Sequence, residues 1–302
     1  MKQLLWAHPE FRLDLQEELR RKNVEVLESW ENLFVVLSDR LDFVWIESQA
    51  LDASFHSFSS ISQAQSILRQ HGRLWTSAPV SHFRRSELIT QELLQPKIRP
   101  RKFLEKIPQG ALGIFCLTSE NELWLSPQLI PALPLHAWKF EENREAPSRA
   151  YLKLWELFTR EGFCPKPSEK CLELGSAPGG WTWVLRSLST SVIAVDKGEM
   201  DSRLLEQKQV IWLQQDAFSI KPEEIGPVDW FFSDLICYPA RLLEVVKEWS
   251  EKGLAQNFVC TLKFKGKTDF ETLEAFLRLP GSKARHLHHN KHEVTWFWLK
   301  DS

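Results

Sequence analysis

The chain has 302 residues, of which 43% are hydrophobic and 26% charged, and its formal net charge is −2. This composition is ordinary for a folded protein, and the length predicts two domains. The nearly neutral charge excludes wholesale electrostatic capture of nucleic acid but allows a local basic surface. No stretch approaches the ~18 apolar residues of a membrane span, and the first residues lack the apolar core of a secretory signal. We therefore expect a cytoplasmic protein without membrane contacts.

Five cysteines are scattered along the chain without a CxxC pair or any paired spacing. Such a pattern favours free thiols in a reducing compartment over disulfides or a metal centre. The thiols in question are Cys116, Cys164, Cys171, Cys237 and Cys260.

The first half, residues 1–140, predicts a small α+β domain because short apolar segments alternate irregularly with helical patterns. Helices are expected over residues 10–22, 62–70 and 85–94, strands over 32–37 and 43–46, a hairpin over 111–117 and 122–125, and an extended connector over 129–135.

The second half, residues 141–302, alternates strands and helices regularly. Its strands are nearly continuous apolar runs, which is typical of a parallel sheet covered by helices on both faces. Helices are expected over 150–160, 181–188, 241–249 and 270–277, strands over 170–174, 192–195, 210–213, 228–232 and 258–262, and a closing antiparallel pair over 285–288 and 293–299.

Polar residues and glycine stand directly after the predicted parallel strands. In an open α/β sheet, ligands bind outside the carboxyl ends of the strands, so residues that follow successive strands converge on one site. The residues at these ends are Gly175, Asp196, Asp216, Asp234 and Lys263.

The segment Gly-Ser-Ala-Pro-Gly-Gly follows the first of these strands. Ala177 stands where a dinucleotide fingerprint requires glycine, and Pro178 stiffens the turn, so a pyrophosphate cradle is disfavoured. A cofactor without phosphates, such as S-adenosylmethionine, needs no such cradle. Asp196 follows Gly175 by 21 residues, a spacing that suits a carboxylate bound to ribose hydroxyls in either NAD or S-adenosylmethionine. Asp216 is a candidate acceptor for an adenine amino group, although both acids also suit turn caps.

The string CLELGSAPGGW resembles the first motif of the FtsJ-like ribosomal RNA 2′-O-methyltransferases. That family carries a Lys–Asp–Lys–Glu tetrad, and the matching contexts here are SRAYLK, FFSD, VCTLKFKG and KHEVTWFWL. The resemblance therefore implies four catalytic residues in order: Lys153, Asp234, Lys263 and Glu293.

The stretches APSRAYLKL, LGSAPGGWTW, VDKGEM, QVIWLQQDAF and HEVTWFW resemble one branch of that family, over roughly residues 138–302. This branch, the RlmM type, methylates a cytidine ribose in bacterial large-subunit (23S) ribosomal RNA. The resemblance implies an α/β, Rossmann-like class I methyltransferase sheet, parallel with an antiparallel last strand, preceded by the smaller α+β domain. The implied contacts of S-adenosylmethionine are Gly175, Ser176, Ala177, Pro178, Gly179, Gly180, Trp181, Asp196, Asp216 and Asp234.

Two departures from the family pattern accompany these matches. The branch has a longer N-terminal region that includes an RNA-binding THUMP domain, whereas about 140 residues precede the catalytic half here. The more typical Ser-Asp-Met-Ala-Pro-Asn is replaced by SDLICYP, which keeps the aspartate and changes the residues after it.

Methyl transfer to a hydroxyl requires a group that handles the hydroxyl proton. Our hypothesis is that Lys263 acts on the 2′-hydroxyl, either as the base or by orienting its lone pair. Lys153 and Asp234 would then position Lys263 and adjust its charge, and Glu293 would hold the ribose or Lys153. Nearby positive charges lower a lysine pKa and carboxylates raise it, and the balance depends on the folded geometry.

Residues 84–106 contain seven basic residues against three acidic ones. We expect the loop KIRPRK within this segment to bind RNA phosphates through Arg99, Arg101 and Lys102, with an ordinary solvated loop as the alternative. The histidine-rich segment 286–292 resembles no standard zinc spacing and is interpreted as a polar loop, so no metal is expected.

Other functions remain alternatives. A 2′-O-methyltransferase of transfer or messenger RNA fits the same motifs, and so does a non-catalytic RNA-binding module on the same scaffold. An NAD-linked dehydrogenase is disfavoured by Ala177 and by the tetrad.

Overall fold

In the computed structural model, which describes residues 1–300, the chain divides into two compact units, Met1–Glu141 and a second unit that begins at Glu142. No helix in this described range is long and apolar enough to cross a membrane.

The first unit contains nine strands and three α-helices within its described residues. The elements are β1 Lys2–Trp6, α1 Arg12–Arg21, β2 Glu25–Trp30, β3 Leu33–Leu37, β4 Ser48–Leu51, β5 Ser54–Ser57, α2 Ile61–His71, β6 Trp75–Ser77, α3 Phe83–Gln91, β7 Gly113–Ser119, β8 Glu122–Ser126 and β9 Gln128–Ile130.

These strands form two sheets that share one core. The order is β2-β3-β1-β4-β9 in the first sheet and β5-β8-β7-β6 in the second. Alternate residues of β7 face opposite sides, as the period of a strand requires. Ile114 and Cys116 pack into the core between the sheets, whereas Phe115 and Leu117 pack under the helices α2 and α3.

The strand expected over residues 43–46 is absent, and that prediction was wrong. The segment is buried, but its amides do not join a ladder: Val44 N and Trp45 N donate to the Glu18 carboxylate at 2.8 and 3.0 Å. The apolar run therefore signals burial and not a strand, and the strand itself begins at Ser48. The extended connector expected over 129–135 is also partly wrong, because Leu129 pairs with Ala50 in β9.

The second unit contains seven strands and six α-helices within its described residues. The elements are α4 Tyr151–Glu161, β10 Lys170–Leu174, α5 Gly180–Ser187, β11 Ser191–Asp196, α6 Ser202–Leu205, β12 Val210–Gln214, α7 Pro222–Ile225, β13 Val228–Ser233, α8 Pro239–Glu251, β14 Ala255–Lys263, α9 Phe270–Leu277, β15 Lys283–Arg285 and β16 Glu293–Trp298.

The seven strands form one sheet in the order β12-β11-β10-β13-β14-β16-β15. The five strands from β12 to β14 are parallel, and β16 is antiparallel to β14. The predicted α/β, Rossmann-like sheet with an antiparallel last strand is thereby confirmed. Its strand order reverses between β10 and β13, where ligands bind in sheets of this type.

The closing pair is shifted from its expected position. The strand expected over 285–288 lies at Lys283–Arg285, and residues 286–292 form a loop that leads into β16. Within this loop, Asn290 Oδ1 accepts from Leu287 N at 2.8 Å, so a side chain and not a ladder satisfies the backbone.

Candidate active site

The four tetrad residues lie at neighbouring ends of the central strands. Asp234 follows β13 and Lys263 ends β14, so these parallel strands deliver both side chains to one edge of the sheet. Glu293 opens β16 and is the direct cross-strand partner of Lys263. Lys153 projects from α4, the helix that precedes the sheet.

Their charged groups are in contact. Lys153 Nζ lies 3.1 Å from Asp234 Oδ1 and 2.7 Å from Glu293 Oε1. Lys263 Nζ lies 3.0 Å from the same Asp234 Oδ1 and donates to the Asp234 carbonyl at 2.6 Å. Two lysine side chains and two acidic side chains therefore alternate around one site.

The two lysines have different surroundings. Burial opposes the charge of Lys153, but Asp234 and Glu293 outweigh that effect and raise its pKa above the ordinary value of 10.5. Lys153 therefore remains an ammonium group at neutral pH. Lys263 contacts only one of the two carboxylates and is the more exposed lysine, at 21% of its side chain against 12% for Lys153.

Glu156, which the sequence did not single out, connects α4 to the loop that precedes Glu293. Its carboxylate is fully buried and accepts from His288 N at 2.9 Å and from His289 N at 3.1 Å. His289 Nδ1 lies 2.7 Å from the same carboxylate. The one available signal was an acidic residue, three positions after Lys153, in the otherwise apolar run LWELF.

The other histidines of the loop 286–292 also contact protein groups. His286 Nε2 lies 3.1 Å from the Lys291 carbonyl, and His292 Nε2 lies 3.0 Å from Thr268 Oγ1. Within residues 1–300, no group of three or more His, Cys, Asp or Glu side chains is arranged to hold a metal ion.

The glycine-rich segment follows β10 at the reversal point of the sheet. Gly175 has φ +82°, and a Cβ there would lie 2.9 Å from the backbone of Leu235, so the turn excludes any larger residue. Gly179, at φ +114°, is likewise left-handed, and the Ala177–Pro178 peptide is cis. Ser176 Oγ is buried without a hydrogen-bond partner among the described residues, so the turn presents an unused polar group.

Two residues of this segment contact the residues that directly precede α4. Trp181 is buried, and its Nε1 donates to the Ala150 carbonyl at 3.0 Å. A Cβ on Gly180 would meet Ser148 Oγ. Both residues therefore fix the start of the helix that carries Lys153.

The acids after β11 and β12 bind backbone amides. Asp196 accepts from Ala177 N at 3.0 Å and from Gly198 N at 2.8 Å, which ties it to the glycine-rich segment. Asp216 accepts from Phe218 N at 3.0 Å as the N-cap of a short 3₁₀ turn. Its carboxylate also lies 2.9 Å from Lys197 Nζ, and that hydrogen bond lowers the pKa of Asp216.

The three basic residues expected to contact RNA differ in exposure. Arg99 is exposed and paired with Glu105 at 2.6 Å, and Lys102 is exposed. Arg101 is 7% exposed, and its guanidinium donates to the Lys106 carbonyl at 2.8 Å. Arg101 therefore holds its own loop, and its expected phosphate contact is at odds with this burial.

Comparison with known proteins agrees with the fold. Residues 146–283 match the family model described as FtsJ-like methyltransferase. The second unit thus has the class I methyltransferase fold, and the resemblance to the FtsJ-like family is confirmed for this part of the chain.

Two named proteins that are similar to this chain share one name. The chain is 38% identical over 208 residues to ribosomal RNA large subunit methyltransferase M of Teredinibacter turnerae, covering 61% of this chain and 58% of that protein. It is 33% identical over 228 residues to the protein of the same name from Azotobacter vinelandii, covering 68% and 60%. The chain therefore spans less than two thirds of these relatives' length.

Among solved structures, the chain is similar to a fibrillarin pre-rRNA processing protein of Methanococcus jannaschii, with 16% identity and a TM-score of 0.37. That match covers 60% of this chain and 80% of the other. At this similarity it adds nothing to the topology already described.

Proposed function

We propose that this protein transfers a methyl group from S-adenosylmethionine to a ribose 2′-hydroxyl of RNA. The observation that carries the proposal is the contact among Lys153, Asp234, Lys263 and Glu293 at the reversal point of the sheet. The proposed substrate is large-subunit ribosomal RNA, as the names of the relatives suggest. The proposal of a cytidine within it comes from the motif resemblance described above.

The residues at the ends of β10, β11 and β12 suit the cofactor. The turn Gly175–Gly180 follows β10 at the carboxyl edge of the sheet, and the unpartnered Ser176 Oγ offers a hydrogen bond. Asp196 retains lone pairs that would accept from the ribose hydroxyls, while Asp216 would accept from the adenine amino group. When bound, S-adenosylmethionine supplies the activated methyl group on its sulfonium.

The two lysines would have different roles at the 2′-hydroxyl. Lys153 is held as an ammonium group by two carboxylates, so it neutralises and positions Asp234 and takes up no proton. Lys263 then acts on the 2′-hydroxyl, either accepting its proton or orienting its lone pair toward the methyl group. Asp234 fixes Lys263 in place, and Glu293 fixes Lys153.

The first unit is the proposed RNA-recognition domain. Its exposed basic loop offers Arg99 and Lys102 to phosphates, which predicts RNA binding that weakens as salt rises. Arg101 is left out of this set because its guanidinium is buried within the loop.

The deciding experiment is methyl transfer from radiolabelled S-adenosylmethionine to large-subunit ribosomal RNA from cells that lack this protein. Wild type should label the RNA and leave an alkali-resistant dinucleotide, which marks a 2′-O-methyl group. Lys263→Ala should bind the cofactor normally by calorimetry and lose the labelling. Lys267→Ala, an exposed lysine four positions along, is the matched control and should keep it.

Each negative result of this experiment would contradict a different part of the proposal. Full turnover by Lys263→Ala would remove the proposed role of that lysine. Cofactor binding without labelling of ribosomal RNA would make transfer or messenger RNA the substrate to test, and absence of transfer to all three would indicate a non-catalytic RNA-binding protein.

A further inference from the structure

A cavity of about 550 Å³ opens beside Lys263, on the side formed by the loops after β12, β13 and β14. It is lined by Phe218, Ile236, Cys237, Tyr238, Arg241, Lys263, Phe264 and Lys265. The proposed function assigns Lys263 and leaves the other seven residues without a role.

The loop after β13 exposes two large side chains at this cavity. Ile236 is 91% exposed and Tyr238 is 68% exposed. Apolar groups that face solvent together, with a charged border, mark binding surfaces more often than chance. These residues belong to SDLICYP, the segment in which this chain departs from the more typical family sequence.

The charged border of the cavity is entirely basic. The guanidinium of Arg241 lies over the ring of Phe218, 3.5 Å from its centroid, which holds the planar group in a fixed orientation. Lys265 is exposed two positions after Lys263. None of the eight lining residues, all of them described, is acidic. The lining therefore combines an exposed aromatic ring with cations, the combination that binds unstacked nucleotides.

We infer that this cavity receives the base of the nucleotide whose ribose is methylated, with Tyr238 stacking on the base and Arg241 and Lys265 binding the flanking phosphates. This inference rests on the proposed function. Because a base can enter a cavity only after it leaves its own stack, the substrate should be single-stranded or looped RNA.

The position of Lys263 supports this assignment. It lines the cavity and touches Asp234, so a base in the cavity would place its own ribose at the tetrad. The other candidate occupant is the adenine of the cofactor, because Phe218 lies two residues after Asp216. The experiment must therefore measure cofactor and RNA binding separately.

The test compares full-length Tyr238→Ala, Tyr238→Phe and wild type. Binding of a fluorescent ten-cytidine RNA is followed by anisotropy, and S-adenosylmethionine binding by calorimetry. Loss of one stacking contact should weaken RNA binding by about 10- to 100-fold in Tyr238→Ala. Tyr238→Phe keeps the ring and should restore most of the affinity, and cofactor affinity should stay unchanged in both variants.

Ile211→Ala is the matched control, since Ile211 is an exposed apolar residue on β12 outside the cavity and should bind RNA as wild type does. Weaker cofactor binding in Tyr238→Ala would assign the cavity to the adenine and overturn the inference, and unchanged binding of both ligands would also overturn it. A third outcome is possible: RNA binding depends on Tyr238, but the wild-type protein transfers no methyl group. That result would refute the proposed function and would still identify RNA as the ligand of the cavity.

Discussion

Replacing Glu156 by alanine removes the acceptor that holds the loop before Glu293 against α4. Two backbone amides, those of His288 and His289, and the His289 ring would lose their partner. A donor left unsatisfied away from water costs about 1–3 kcal/mol. Because both histidines are only partly buried, water would satisfy some of this loss. We expect the free energy of unfolding to fall by about 2–4 kcal/mol.

Glutamine at position 156 should give a smaller loss. Its carbonyl oxygen keeps one of the two acceptor positions, but its NH₂ group would face a donor. The expected order of stability is therefore wild type, Glu156→Gln and then Glu156→Ala.

Urea unfolding followed by circular dichroism measures these differences, with the transition of each compact unit fitted separately. Glu244→Ala is the control, because that carboxylate is 76% exposed and its ion pair should contribute less than about 1 kcal/mol. A Glu156→Ala protein as stable as the control would show that the buried carboxylate does not hold the loop. Methyl transfer should also fall in Glu156→Ala under conditions where the protein is folded, since Glu293 follows this loop.

Three further predictions concern the glycine-rich segment and its neighbours. Burial raises the pKa of Glu173 well above 4.5 although Thr182 opposes the shift, so wild type should lose stability as pH rises above that value. Glu173→Gln, which cannot ionise, should lack this decline in stability as pH rises above 4.5 in urea titrations. Asp196→Ala should weaken S-adenosylmethionine binding by about tenfold or more in calorimetry, since a charged acceptor is lost. Gly175→Ala should lower the melting temperature and weaken cofactor binding, because its Cβ would press on the Leu235 backbone.

The first four parallel strands of the second unit could be predicted from the sequence to within one residue, whereas the fifth begins at Ala255, three residues before its expected start. The first strand was expected at 170–174 and lies at Lys170–Leu174. Strands buried on both faces are continuous apolar runs, which local composition reveals directly. The same topology brings strand ends together, so the closeness of Asp234 and Lys263 followed from their positions after neighbouring strands. Their roles stay predictions until turnover is measured.

The first unit was harder to predict because its signals depend on tertiary contacts. β2, at Glu25–Trp30, was missed since five of its six residues are exposed and no apolar alternation marks it. For the segment 43–46 the error was the opposite, because a strand was predicted where none exists. The segment is apolar because it is buried, and its amides donate to the Glu18 carboxylate instead of a neighbouring strand.

Buried charges were the second source of error. Arg101 looked like an RNA contact because it lies in a basic loop, yet its guanidinium binds carbonyls of that same loop. Glu156 was not singled out from the sequence and is fully buried. In both cases the partners include backbone groups, which carry no sequence signature.

The proposed chemistry needs one lysine at the hydroxyl, and the arrangement of the tetrad suggests a separate role for the second. A single lysine beside Asp234 and Glu293 would leave the site with excess negative charge, and that charge would hold the lysine as an ammonium group. Lys153 already balances Glu293 at 2.7 Å and shares Asp234 at 3.1 Å. Lys263 therefore shares the Asp234 carboxylate with Lys153 and also contacts the Asp234 carbonyl. It is also the lysine of the tetrad that lines the cavity. Under the proposed function, Lys153 would neutralise the two carboxylates, and Lys263 would be the lysine that meets the hydroxyl.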